Sequence, residues 1–138
     1  NMEKGKGEKG GKIIHFKQAF HGRTGYTLSL TNTSDPRKTM YFPKFDWPRI
    51  DIPKLSFPIT DIVLQEVEKN ERIAIDQIKT ALANNKDDVA ALIIEPIQGE
   101  GGDNHFRDEF FVALRQLCDE NEMLFIMDEV QTGIGITG

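Results

Sequence analysis

Two apolar runs about 30 residues apart constrain this chain most. The first is V-A-A-L-I-I, Val89 to Ile94, and the second is L-F-I-M, Leu124 to Met127. Neither alternates with polar residues, so each suits a strand covered on both faces, as in a parallel sheet. Between them, about Asp108 to Asn121, Phe110, Phe111, Leu114, Leu117 and Cys118 recur at helical spacing. Strand, helix, strand over about 40 residues is a βαβ unit, which implies an α/β fold with a mostly parallel sheet and flanking helices.

Both runs end in carboxylates: Glu95 after the first, Asp128 and Glu129 after the second. In open α/β sheets, ligands bind beyond the carboxyl ends of the strands. Glu95 and Asp128 are therefore expected in one site. A buried, unpaired carboxylate is costly, so a positive group should face Asp128 or Glu129.

Upstream, Lys12–Phe16 reads as a short strand, and Gln18–Gly25 as a turn bounded by glycine. Tyr26–Thr31 fits a short helix or a strand. Asn32–Pro58, with prolines at 36, 43, 48, 53 and 58, reads as irregular. Thr60 or Asp61 caps a helix that carries Leu64, Val67, Ile75, Ile78 and Leu82 on one face, interrupted by Glu71. It should end near Asn84-Asn85 on a left-handed cap. Gln98–Asp103 reads as a Gly-rich loop.

Charge is uneven. Residues 1–60 hold 11 Lys/Arg against 5 Asp/Glu, and residues 61–138 hold 6 against 17. The early lysines sit among glycines without aromatic platforms, which argues against nucleic-acid binding. No apolar run approaches the roughly 20 residues of a membrane helix. One cysteine, Cys118, permits no internal disulfide and fits a reducing, cytoplasmic setting.

An apolar strand ending in D-E also occurs in P-loop ATPases, which need G-x-x-x-x-G-K-[ST]. Here Gly5 and Gly10 have the spacing, but Gly11 stands where Lys is required and Ile13 cannot ligate Mg²⁺. His15, His21 and His105 show no metal-ligand spacing. His15 reads as structural and His105 as a surface residue near a helix start. His21 differs: F-H-G-R sets it between an aromatic ring, a glycine that allows close approach, and an arginine suited to a carboxylate.

Three stretches, F-H-G-R-T-G-Y-T-L-S-L-T (20–31), A-L-I-I-E-P-I-Q-G-E-G-G (91–102) and L-F-I-M-D-E-V-Q-T-G (124–133), together resemble the class III aminotransferases. These are fold-type I enzymes that use pyridoxal 5′-phosphate. The resemblance implies that Asp128 pairs with the cofactor's pyridine nitrogen, that Phe20 and Val130 flank its ring, and that His21 backs the stacking turn. It places Glu95 in the hydrogen-bond network beneath the ring and Gln131 near the ring's phenolic oxygen and the substrate. Arg23 would hold a substrate α-carboxylate. Glu100 would act as an acidic gate, neutralising a downstream arginine while the amine donor binds and then releasing it to 2-oxoglutarate.

Within the family, residues 43–51 and 100–107 resemble the branch that moves the ε-amino group of L-lysine to 2-oxoglutarate, giving 2-aminoadipate 6-semialdehyde and glutamate. Branches acting on ornithine, acetylornithine or 4-aminobutyrate are the near alternatives. The resemblance also implies a homodimer. The lysine that binds the cofactor covalently is expected outside residues 1–138, as is the phosphate-binding turn. The stretch is therefore expected to be part of the cofactor-binding large domain, incomplete at both ends and inactive alone.

Overall fold

A computed structural model describes residues 9–137. Strands β1 (Lys12–Phe16), β2 (Arg49–Ile50), β3 (Val89–Ile94) and β6 (Leu124–Met127) form one parallel sheet in the order β2-β1-β3-β6. β4 (Ile97–Gln98) and β5 (Asn104–His105) form a separate antiparallel hairpin. Helices α1 (Thr27–Leu30), α2 (Asp61–Asn84) and α3 (Asp108–Glu120), and a 3-10 turn at Pro36–Lys38, complete the fold.

The sheet explains the unbroken apolar runs. β3 is flanked by β1 and β6, and Val89, Ala91, Leu92 and Ile94 are all buried. Val89, Leu92 and Ile94 join Ile14 and Phe16 of β1, Ala74 and Ile78 of α2, and Phe110, Leu114, Leu117 and Cys118 of α3 in one core. Burying a large apolar side chain contributes about 1.5–3 kcal/mol, so this cluster is the main stabilising element.

α2 starts as expected: Thr60 Oγ1 accepts from the Val63 N–H at 3.3 Å. Glu71, which breaks its apolar face, is buried because Arg107, the residue that precedes α3, supplies a partner. Arg107 Nε donates to Glu71 Oε1 at 2.9 Å and Nη2 to Oε2 at 2.7 Å, while Nη1 reaches Glu68 at 3.1 Å. The charged pair holds the Arg107 pKa above its usual value.

Several expectations need correction. The end of α2 is not left-handed: Asn85 has φ −128°, and its side-chain amide instead donates to the Ala81 carbonyl at 2.7 Å. The segment 32–58 is irregular except for β2 and the Pro36–Lys38 turn. The Gly-rich loop is the turn of the β4–β5 hairpin, and His105 lies in β5, half-buried and edge-on to Phe57. Strand β6 forms as expected but is not enclosed. Leu124 is 54% exposed, because β6 is the edge of the sheet and pairs only with β3 among the described residues.

The P-loop alternative also fails on structure. Lys12 and Ile13 lead into β1, whereas that motif requires a helix to follow it. The first part of that stretch, residues 5–8, lies outside the described residues. Among the described residues no helix is long and apolar enough to cross a membrane, and no His, Cys, Asp and Glu cluster could hold a metal ion.

Candidate active site

The carboxyl ends of β1, β3 and β6 converge. β1 runs into the turn carrying Phe20 and His21, β3 into Glu95, and β6 into Asp128. Parallel pairing places Ile94 opposite Met127, and the Asp128 N–H donates to the Ile94 carbonyl at 2.8 Å. The register therefore brings both carboxylates to one rim, as the two apolar runs imply.

The turn after β1 is tied to that rim twice. The Phe20 N–H donates to Glu95 Oε1 at 2.9 Å, and His21 Nδ1 lies 2.7 Å from Asp128 Oδ2. Thr31 Oγ1 accepts from the His21 N–H at 3.0 Å and donates to the Gly22 carbonyl at 2.7 Å, which locks the turn against the end of α1. Gly22 sits at φ +111°, and a Cβ there would meet Thr27 Oγ1 at 2.8 Å. Only glycine fits this corner.

His21 does more than back the turn. Its side chain is 1% exposed, and burial pulls its pKa below the usual value despite the hydrogen bond to Asp128. A neutral imidazole donates Nδ1–H to Asp128 and keeps its lone pair on Nε2, which is buried without a partner among the described residues. The Val130 N–H donates to the other oxygen, Asp128 Oδ1, at 3.1 Å. Two donors thus fix the Asp128 carboxylate. The partner expected to be positive is, within these residues, a neutral donor.

Glu95 behaves differently. Burial raises its pKa to about 7, helped by the charges of Asp128 and Glu100 and opposed by the N–H groups of Phe20 and Gly99. Near neutral pH the rim thus holds about half a proton on Glu95.

The remaining residues surround this pair. Val130 is 96% exposed, an isopropyl group standing free beside Asp128. Gln131 lies over Gly99, where a Cβ would collide with its amide. Arg23 is exposed, with its guanidinium 5.8 Å from the Phe20 ring centre. Glu100 is not simply solvated, because Lys38 Nζ lies 3.2 Å from its Oε1. Lys38 carries no motif and was invisible to sequence reasoning. His15 is structural, as expected: Arg49 Nε donates to its Nε2 at 3.0 Å, and burial lowers its pKa to about 4. A separate hollow lined by Lys79, Leu82, Asn85, Lys86, Leu117 and Glu122 lies near the start of β3 and contains none of the expected site residues.

A carboxylate fixed by two donors, an aromatic ring tied to the same rim and a bare isopropyl group beside it match the needs of a flat, protonated nitrogen heterocycle. This chain belongs to the class-III aminotransferases, whose family description matches residues 1–138. Members of that family work with pyridoxal 5′-phosphate, and the rim residues fit its ring.

Among relatives, the chain is 52% identical over 129 residues to the L-lysine-epsilon aminotransferase of Mycobacterium tuberculosis, covering 94% of this chain and 28% of that one. It is 50% identical over 127 residues to the enzyme of the same description from Streptomyces clavuligerus, covering 92% and 27%. The mitochondrial 4-aminobutyrate aminotransferase of Homo sapiens is 40% identical over 129 residues, covering 91% and 25%. The solved lysine aminotransferase from M. tuberculosis superposes with a TM-score of 0.86 at 51% identity, over 92% of this chain and 28% of that structure. The chain thus spans little more than a quarter of these relatives.

Proposed function

We propose that this chain supplies the ring-binding part of the large domain of an aminotransferase that moves the ε-amino group of L-lysine to 2-oxoglutarate. The observation that carries the reading is the Asp128 carboxylate, held by His21 at 2.7 Å and by the Val130 N–H at 3.1 Å at the rim of a parallel sheet. The identity to lysine aminotransferases supports the choice of donor.

When bound, pyridoxal phosphate supplies an electron sink for the carbanion left by proton loss from the substrate. Asp128 keeps the ring nitrogen protonated, which that sink requires. His21 orients Asp128 through Nδ1–H, and its neutral state leaves the carboxylate's full charge for the ring. Phe20 and Val130 flank the ring. Glu95, near its titration point, binds the Phe20 N–H and so fixes the stacking turn. Gln131, packed on Gly99, would face the phenolic oxygen and the substrate.

Arg23 holds the α-carboxylate of lysine, which leaves the ε-amine free to reach the cofactor. Glu100 alternates as the acidic gate between the two substrates. We assign the complete enzyme to the cytoplasm as a homodimer. The buried Cys118 thiol agrees with a reducing setting, and the exposed stack of Tyr26 and Phe45, rings 5.1 Å apart, agrees with a further contact surface.

The test is a donor screen on the complete enzyme with lysine, ornithine and 4-aminobutyrate, each paired with 2-oxoglutarate. Lysine should have the highest kcat/KM. Arg23→Ala should lower use of α-carboxylate donors about tenfold or more while sparing simple diamines, since a charged hydrogen bond contributes about 1.5–3 kcal/mol. Equal losses for both donor types would refute the role of Arg23.

A further inference from the structure

We propose that Lys38 is the resting partner of Glu100, a positioning residue that draws this carboxylate aside while the keto acid binds. The inference rests on the reading of Glu100 as the gate, and it names where that gate goes when it leaves the downstream arginine.

The backbone beneath Glu100 is fixed. Gly101 lies against the Gln18 carbonyl so tightly that a Cβ would overlap it. The N–H groups of Gly102 and Asp103 donate to the Gly99 carbonyl at 3.1 and 3.4 Å. The Asn104 amide lies within bonding distance of Gln18 Oε1 (3.0 Å), Gln98 Oε1 (2.9 Å) and the Gly101 carbonyl (3.2 Å), and Gln98 Nε2 donates to the Lys17 carbonyl at 2.9 Å. Gln98 and Asn104 are buried. The hairpin is thus clamped to the turn after β1, and Glu100 moves by side-chain torsion alone. A carboxylate that leaves one cation without backbone motion is favoured in its second position by any cation within reach.

Lys38 is such a cation. Its Nζ is 3.2 Å from Glu100 Oε1 across 62 residues of sequence. The 3-10 turn presents it: the Lys38 N–H donates to the Asp35 carbonyl at 3.3 Å, and the Thr39 N–H to the Pro36 carbonyl at 3.1 Å. The nearby Asp35 carboxylate is taken by Arg37, whose Nε and Nη2 each donate at 2.9 Å. The Lys38 ammonium is left to Glu100. The attraction to Lys38 favours the outward position. The side chains of Lys38 and Glu100 are 39% and 33% exposed. A pair at that exposure biases a two-position equilibrium by about two- to fivefold.

The experiment measures the two half-reactions separately in the complete enzyme, by single turnover with L-lysine and with 2-oxoglutarate. Lys38→Met, Lys38→Arg, Glu100→Gln and the double variant Lys38→Met/Glu100→Gln are compared with the parent, with Arg37→Met as a surface-charge control and thermal melts to check folding. Lys38→Met should raise the 2-oxoglutarate concentration for half-maximal rate about two- to fivefold. Its maximal rate should stay unchanged, and the lysine concentration for half-maximal rate should fall or hold and not rise. Lys38→Arg should restore the parent value, Arg37→Met should have no effect, and Lys38→Met should add nothing once Glu100 is Gln. If Glu100→Gln alters 2-oxoglutarate use but Lys38→Met does not, Lys38 is only a surface charge and the gate stands without it. If Glu100→Gln alters neither half-reaction, the gate reading falls and this inference with it.

Discussion

Asp128→Asn removes the charge of the central carboxylate and one of its two acceptor oxygens while keeping its shape. Asn keeps an oxygen that can accept from His21 Nδ1–H, now at 2.7 Å, or from the Val130 N–H, now at 3.1 Å. The Asp128 side chain is only 13% exposed, so a near-isosteric change leaves packing intact. The loss is therefore electrostatic. Two unit charges about 4 Å apart attract by about 4 kcal/mol at an effective dielectric near 20. Without that attraction the bound ring holds its proton weakly, and the step needing the electron sink should slow by about a thousandfold, since 1.36 kcal/mol is a factor of ten in rate. The assay is the lysine half-reaction of the complete enzyme in single turnover, with cofactor content measured on the same sample. A reduction below about tenfold at full cofactor occupancy would refute the reasoning, because the charge would then contribute less than about 1.4 kcal/mol.

Two further perturbations test the frame around the site. Glu71→Ala strands Arg107 between α2 and α3 and should destabilise the protein by about 2–3 kcal/mol, below a fully buried pair because Arg107 keeps Glu68; urea unfolding with Arg107→Met as the second arm of a double-mutant cycle measures this, and additive losses would show the pair to be uncoupled. Glu95, with its folded pKa raised to about 7, favours folding below its unfolded value near 4.5 and loses that contribution as pH rises through 7. Glu95→Gln should thus gain stability relative to the parent between pH 5 and 8, by about 2–3 kcal/mol in the cofactor-free enzyme, and a pH-independent difference would contradict the assignment.

The parts of this fold legible in sequence are those written in long periodic signals. β3, α2 and α3 announce themselves through runs and faces, and Thr60 marks the start of α2. Glu95 and Asp128 could be brought to one rim because parallel register follows from two similar strands with a helix between. The hairpin was not legible: β4 and β5 have two residues each, too few for any period, and they are held by the amides of Gln98 and Asn104 together with that of Gln18, 86 positions before Asn104. The neutral partner that Asp128 has within this chain was not legible, because burial depends on tertiary packing. A histidine pressed to 1% exposure serves as a neutral donor where the sequence suggested only a need for positive charge. The exposure of β6 likewise depends on what lies beside it.

The span of the His21–Asp128 hydrogen bond bears on the order of folding. The two residues are 107 positions apart, and Phe20 and Glu95 are 75 apart. Such contacts close long loops, so the entropy of closure must be met before they stabilise anything. On these grounds the local helices should form before this rim does. A cofactor that recognises only the finished rim then withdraws molecules from the unfolded pool by mass action, so its supply during biosynthesis should raise the yield of native enzyme.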